Sequence, residues 1–289
     1  MTLATYIVDP ESTAFLKPYI HSPRIRPTRP IVVPSAGEYP NRLGTAFDCA
    51  LRHGLSGRGW GVGGRELAEA AFPLLASGSM TGRITSSIEE IPAILDEARS
   101  AIDGIGAAVT LSERAAKGCL TFASLDAFVL HPSDIGPPTL LEIGQLQHLF
   151  AIIPWEAFRP RERLRLSQPL GFGSDAGGGA ITDLVVDECL MELKTLKTPA
   201  VSLATVRQLV AYALLANAFG WDGKPLESLI VDLAVYHARS GEISRFSLDT
   251  VIAPSDHRVV LNYILGRGRR EKASMDPPSA GQGTTTSVS

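Results

Sequence analysis

The chain has 289 residues, of which 45% are apolar and 20% charged, a globular composition that excludes overall disorder and is long enough for one large domain or for a catalytic domain with a helical subdomain. A formal net charge of -3 excludes a uniformly basic surface, so any nucleic-acid function must rest on local patches. Three widely spaced cysteines, Cys49, Cys119 and Cys189, give neither a disulfide framework nor a CxxC metal site and are expected to be reduced, buried thiols.

The N-terminus, MTLATYIVDP, lacks a basic region followed by an apolar stretch of signal length, and no run reaches the roughly 18 apolar residues of a membrane span. A cytoplasmic location without membrane contact is expected. Residues His21 to Pro34 alternate proline with Arg24, Arg26 and Arg29. Fixed proline backbone makes this stretch extended, either a phosphate-contacting arm or, more economically, a solvated strap over the domain.

Leu43 to Arg52 has apolar residues at helical spacing, and the glycine-rich Ser56 to Gly64 interrupts it as a turn. From Arg65 to His131 the pattern is helical, with Ser86 and Glu89 spaced as a capping box. A further helix spans Leu140 to Ile153, between Pro137-Pro138 and Pro154. After the basic stretch Phe158 to Leu166 the period changes. Ile181 to Val186 and Leu190 to Thr195 read as strands joined at Asp187 and Glu188, Ser202 to Phe219 as a helix capped by Ser202 and closed by Gly220, and Leu229 to Ala238 and Ile243 to Leu248 as two more strands. The predicted order is strand, strand, helix, strand, strand: a mixed sheet, α/β or α+β in class, flanked by a helical N-terminal half. There is no internal repeat, and the Pro/Gly-rich tail from Ala273 to Ser289 is expected to be disordered.

On the strand Leu190 to Thr195, side chains alternate, so Glu192 and Lys194 share a face. Burying two such groups costs desolvation unless each other, a metal or a substrate compensates them. If the two strands pair as a hairpin, Asp183 comes close to Glu192, and the two carboxylates with the Leu193 carbonyl make an oxygen-ligand set suited to Mg2+ or Mn2+. Such a site would polarise a phosphodiester, with Lys194 orienting the attacking water or stabilising charge on phosphorus. The competing reading is a Glu192–Lys194 surface pair on an edge strand, with Asp183 in a loop.

The run GGGAITDLVVDECLMELKT followed by RQLVAYALL resembles the PD-(D/E)XK nuclease superfamily, especially its RecB-like branch, in which D…ExK precedes a helix bearing Q-x-x-x-Y. Gln208 and Tyr212 stand at that spacing, one helical turn apart. The resemblance is carried by Leu166 to Leu248 and faintly by Gly44 to Arg52. It implies a restriction-endonuclease-like core at 166–272, a mainly helical region at 1–165 whose helix at 43–52 opens the core, and catalytic roles for Asp183, Glu192, Lys194, Gln208 and Tyr212. The branch often carries G-x-x-x-H on that first helix. Here the run is Gly44 to Asp48, so Asp48 would stand where the family has a histidine metal ligand. Thr182 replaces the proline of the superfamily name.

The resemblance also implies a metal-dependent nuclease acting on DNA rather than RNA, in repair, recombination or defence against foreign DNA, and leaves open a homo-oligomer or protein partners of such a system. The other reading is a catalytically inactive member that keeps the fold as a nucleic-acid-binding or protein-interaction module. Arg207, Arg239, Arg267, Arg269 and Arg270, with the basic run Arg159, Arg161, Arg163 and Arg165, are the candidate phosphate contacts. His237 is placed late on a strand and is expected to be structural. His53, His131, His148 and His257 lack zinc-site spacing, so zinc is not expected.

Overall fold

A computed structural model describes residues 3, 7–36, 39–61, 91–130, 137–170, 181–221 and 224–275. Among these the fold is mixed α/β, as the order of periodicities predicts, with eight α-helices and one five-stranded sheet. The helices are α1 (Pro10–Leu16), α2 (Pro40–Gly57), α3 (Ile91–Ile102), α4 (Glu113–Leu130), α5 (Leu140–Ala151), α6 (Leu203–Phe219), α7 (Leu248–Val251) and α8 (His257–Met275). The strands are β1 (Leu164–Pro169), β2 (Ile181–Val186), β3 (Cys189–Lys194), β4 (Asp232–His237) and β5 (Glu242–Ser247), in spatial order β1-β2-β3-β4-β5.

β1, β2 and β3 pair antiparallel, β4 and β5 pair antiparallel, and β3 meets β4 in the one parallel seam. A parallel neighbour cannot be reached by a tight turn, and α6 supplies the crossover. Its limits follow from local chemistry: the Ser202 hydroxyl accepts the Thr205 amide at 3.1 Å, and Gly220 ends the helix at φ +72°. A Cβ on Gly220 would fall 1.7 Å from the Lys224 carbonyl oxygen. Gly220→Ala is therefore expected to destabilise the fold by about 1–3 kcal/mol in urea unfolding, and an unchanged midpoint would refute this account of the cap.

Strand alternation sorts the sheet residues between two cores. Leu184, Met191, Ala234 and Tyr236 face α2 to α5, packing with Phe47, Phe122 and Phe150. On the opposite face, Val185, Leu190, Leu233 and Val235 meet Leu209 and Ala213 of α6, Val260 and Ile264 of α8, and Leu16 of α1. Helices thus cover both faces, and the predicted division at 165/166 falls inside β1. Among the described residues, the N-terminal 165 contribute to both cores.

Several expectations need adjustment. The helix predicted over 43–52 extends to Pro40–Gly57, with proline at its first position. β1 begins within the basic stretch, where Leu164 and Leu166, on either side of Arg165, are buried. Three helices, α1, α7 and α8, were not predicted, and α8 continues past Ala273 to Met275. The segment 65–90 with its Ser86–Glu89 capping box, residues 62–64 of the glycine-rich turn, and the tail after 275 lie outside the described residues. All three cysteines are free and buried, as expected, and among the described residues no helix is long and apolar enough to cross a membrane.

Candidate active site

β2 and β3 pair as the predicted hairpin, with Leu184 opposite Met191 and Val185 opposite Leu190. Continuing that register sets Asp183 across from Glu192, on the face that packs against α6. The regular ladder stops there. In its place the Asp183 Oδ2 accepts the Leu193 amide at 2.7 Å, so the side chain of one candidate residue fixes the backbone between the other two. In a strand the N–H and C=O of one residue point to the same flank, so the Leu193 carbonyl faces the Asp183 side, as a ligand role would require.

Glu192 is buried, with 7% of its side chain exposed, and its partners are all candidate residues or their neighbours. The Lys194 Nζ donates to Glu192 Oε1 at 2.7 Å. From α6, the Gln208 Nε2 lies 3.2 Å from both Glu192 oxygens and donates toward the Tyr212 hydroxyl at 3.4 Å. α6 is mostly apolar, as suits a helix covered by sheet and neighbours, and Gln208 is its polar side chain that reaches the buried carboxylate. The competing reading, an edge-strand surface pair with Asp183 in a loop, does not hold: β3 is the central strand and Asp183 lies within β2.

Charge crowding marks Asp183. Burial raises its carboxyl pKa well above the ordinary value, Glu192 and then Asp48 raise it further by like-charge repulsion, and the Leu193 amide and Lys194 oppose them. Asp48 on α2 is therefore electrostatically part of the site. Its Oδ2 is paired with Arg52, one turn on, at 2.9 Å from Nη2 and 3.0 Å from Nε. Gly44, a turn before Asp48, lets the helix approach the end of β3: a Cβ there would sit 3.1 Å from Thr195 Oγ1. Among the described residues, however, no three His, Cys, Asp or Glu side chains converge as a closed ligand set, so Asp48 is near the carboxylate pair without completing a cage.

The predicted phosphate-contacting arginines fare unevenly. Arg239 is buried at 2% exposure and spends its guanidinium on the Thr195 carbonyl at 2.8 Å, the Val33 carbonyl at 3.1 Å and Gln145 Oε1 at 3.0 Å. Arg207 is buried at 5% and donates to Thr13 Oγ1 at 2.9 Å, tying α6 to α1. Burial of this kind suits a fold contact and removes both from phosphate contact. Arg267 is paired with Asp9 and Glu11, and Arg270 with Glu11, so both clasp α8 to the start of α1, while Arg269 is exposed. The Arg159–Arg165 run gathers near Asp187 and Cys189, at the opposite end of β3 from Lys194, where Arg161 pairs with Asp187 and Arg163 with Glu227. His237 is buried beside Ser244 at 3.1 Å, a structural histidine whose pKa burial lowers.

Comparison of the chain with family models, with curated proteins and with solved structures returns no match. The chemistry of the donor set is then the test of a bound cation. Two carboxylates and a carbonyl are hard oxygen ligands, and Asp183 is held next to two other acidic groups that disfavour its ionisation. The donor chemistry of these residues is compatible with Mg2+ or Mn2+, for which Asp183, Glu192 and the Leu193 carbonyl would be the holders. Sequence reasoning missed Arg52 and the clamping role of Arg239. The first was readable as an Asp48–Arg52 pair at i,i+4 spacing, and the second had no local signal.

Proposed function

We propose that the chain is a metal-dependent nuclease of the restriction-endonuclease-like type, hydrolysing phosphodiester bonds, with DNA as its substrate. The observation that carries this reading is the constellation of Asp183, Glu192, Lys194 and Gln208, drawn from two strands and a helix: Lys194 and Gln208 both donate to Glu192, and the Leu193 amide between Glu192 and Lys194 donates to Asp183. Fold alone would not carry it, since one architecture hosts many activities.

When bound, Mg2+ or Mn2+ would supply Lewis-acid stabilisation of charge on a phosphoryl oxygen. The chain's own groups do the rest. Asp183 is locked in orientation by the Leu193 amide. Glu192 is held by Gln208, whose Nε2 lies against both of its oxygens and fixes the carboxylate between β3 and α6. Lys194, the one site cation with substantial exposure, can move its ammonium from Glu192 to a water or to a developing phosphoryl oxyanion. Tyr212 fixes the Gln208 amide through its hydroxyl.

Incubating the full chain with single- and double-stranded DNA and RNA, with Mg2+, Mn2+ or EDTA, tests the reading. Cleavage should require the metal, and Lys194→Ala should lower kcat by about a hundredfold or more while the fold persists. Metal-independent cleavage, or full activity in Lys194→Ala, would remove the mechanism. The non-catalytic module draws on one observation, the Lys194–Glu192 pair that occupies a carboxylate oxygen. It predicts salt-sensitive binding with no cleavage under any metal.

A further inference from the structure

The strap from His21 to Pro34 is tied at its start, where the His21 amide donates to the Val251 carbonyl at 2.9 Å, and along its second half. The Thr28 and Arg29 amides donate to the Glu242 carboxylate at 2.9 and 2.7 Å, and the Val32 and Val33 amides donate to the Arg239 carbonyl at 2.9 and 3.0 Å. Arg29 is spent as well, donating to the Gly241 carbonyl at 3.3 Å. Arg239 in turn grips Thr195, the residue after Lys194. The strap and the C-terminal end of the catalytic strand therefore share one anchor.

Arg24 and Arg26 behave differently. They line a cavity of about 680 Å³ whose other wall is Pro199, Ala200 and Val201, from the loop between β3 and α6, and among the described residues no acidic side chain lines it. None of the ion pairs among the described residues uses either guanidinium, in contrast to Arg163, Arg267 and Arg270. Ile25 packs on the core of the α6 face and seats the stretch, and Pro23 and Pro27 restrict its backbone, so little freedom remains to be lost when a ligand arrives. Arg24 itself sits at φ +54°, a left-handed conformation that a non-glycine side chain adopts only at an energetic cost.

The cavity is close to the chemistry. Pro199 follows Lys194 by five residues, so their Cα atoms are at most about 18 Å apart. Ser202 begins α6 immediately after Val201, which turns the positive end of that helix toward the loop, and the same helix carries Gln208. With strand phosphates advancing about 3.4 Å along a duplex, 18 Å corresponds to at most about five of them.

We propose that the cavity between Arg24–Arg26 and Pro199–Val201 is a phosphate subsite, which takes the sugar–phosphate backbone of the substrate strand within a few nucleotides of the bond held at Asp183 and Glu192. The proposal rests on the nuclease reading and assigns the substrate strand a direction across the protein, from the end of β3 to the strap.

The test is a walk of single neutral methylphosphonates along a cleavable oligonucleotide, with wild type, R24A/R26A and R24K/R26K. In wild type, one or two positions on one side of the scissile bond should raise KM about tenfold while leaving kcat unchanged. In R24A/R26A, KM should already be raised and the same positions should have no further effect, and the slope of log affinity against log salt should fall by about 1.4 to 1.8. R24K/R26K, which keeps the charge, should retain the sensitivity. If wild type cuts the substrate with no sensitive phosphate beyond the scissile one, or R24A/R26A keeps the wild-type KM and salt slope, the subsite is wrong and the nuclease reading stands. If wild type neither binds nor cuts nucleic acid, the nuclease reading fails and the subsite with it.

Discussion

Asp183→Asn is expected to abolish cleavage, lowering kcat by about a thousandfold or more, and at the same time to raise the melting temperature of the metal-free protein. The two effects have one cause. Asp183 is a carboxylate kept out of water beside Glu192 and Asp48, and all three influences disfavour its charge. Because its pKa in the fold lies above that of the unfolded chain, its ionisation destabilises the native state as pH rises between the two values. An amide removes the charge but keeps an oxygen to accept the Leu193 amide. The gain should read as about 2–4 °C in Tm for each kcal/mol of relieved repulsion. Saturating Mn2+ should stabilise wild type, by about 2.7 kcal/mol at a hundred times Kd, and should leave Asp183→Asn nearly unmoved. A variant that melts lower than wild type without metal, or one that still responds fully to Mn2+, would overturn this picture of the site.

The second large effect is structural. Arg42 in the first turn of α2 and Glu142 in α5 form an ion pair with 1% of each side chain exposed, including an Arg42 Nε to Glu142 Oε1 bond of 2.8 Å. Glu142 also completes a capping box with Thr139. Arg42→Ala strands a buried carboxylate and should cost about 3–5 kcal/mol in denaturant unfolding at pH 7. Burial works against the Glu142 charge, yet hydrogen bonds from Arg42 and Thr139 outweigh it and hold the pKa below the usual carboxylate range. Its contribution in wild type is therefore present above the unfolded pKa and lost as pH falls through the lower folded value. In Arg42→Ala the carboxyl can neutralise instead, so the difference between the two proteins should narrow in acid. A constant difference from pH 7 to pH 3 would show that the pair is not its source. Since α2 also carries Gly44 and Asp48, the same variant should loosen the edge of the site.

What the sequence made legible was what local physics determines. α6 was readable in both directions, because Ser202 satisfies its first amides and Gly220 supplies the left-handed exit. Glu192 and Lys194 were readable as face-mates because strand alternation has no freedom in it. β1 was hidden because Arg163 and Arg165 alternate with its two buried leucines and mask them. α8 was hidden because Gly266, Gly268 and its charges dilute the apolar stripe that Val260 and Ile264 present to α6. The arginines were the least legible of all. Arg207 lies on a helix covered on nearly every side, and Arg239 follows a strand whose surroundings are set by segments some 44 to 206 residues away. Which guanidinium meets solvent is a property of packing, which periodicity does not encode.

The single parallel seam has a consequence for how activity arises. Cys189 and Asp232 open that seam from positions about forty residues apart, and it can close only after α6 has crossed the sheet, a costly loop to order early in folding. Asp183 and Glu192 can meet in a local hairpin, but Gln208 arrives with the crossover and Asp48 with a helix from the far side. A nascent or half-folded chain thus holds its acidic pair without the groups that aim it. On the proposed nuclease reading, hydrolytic competence would therefore belong to the finished sheet, and a half-folded chain would not yet cleave.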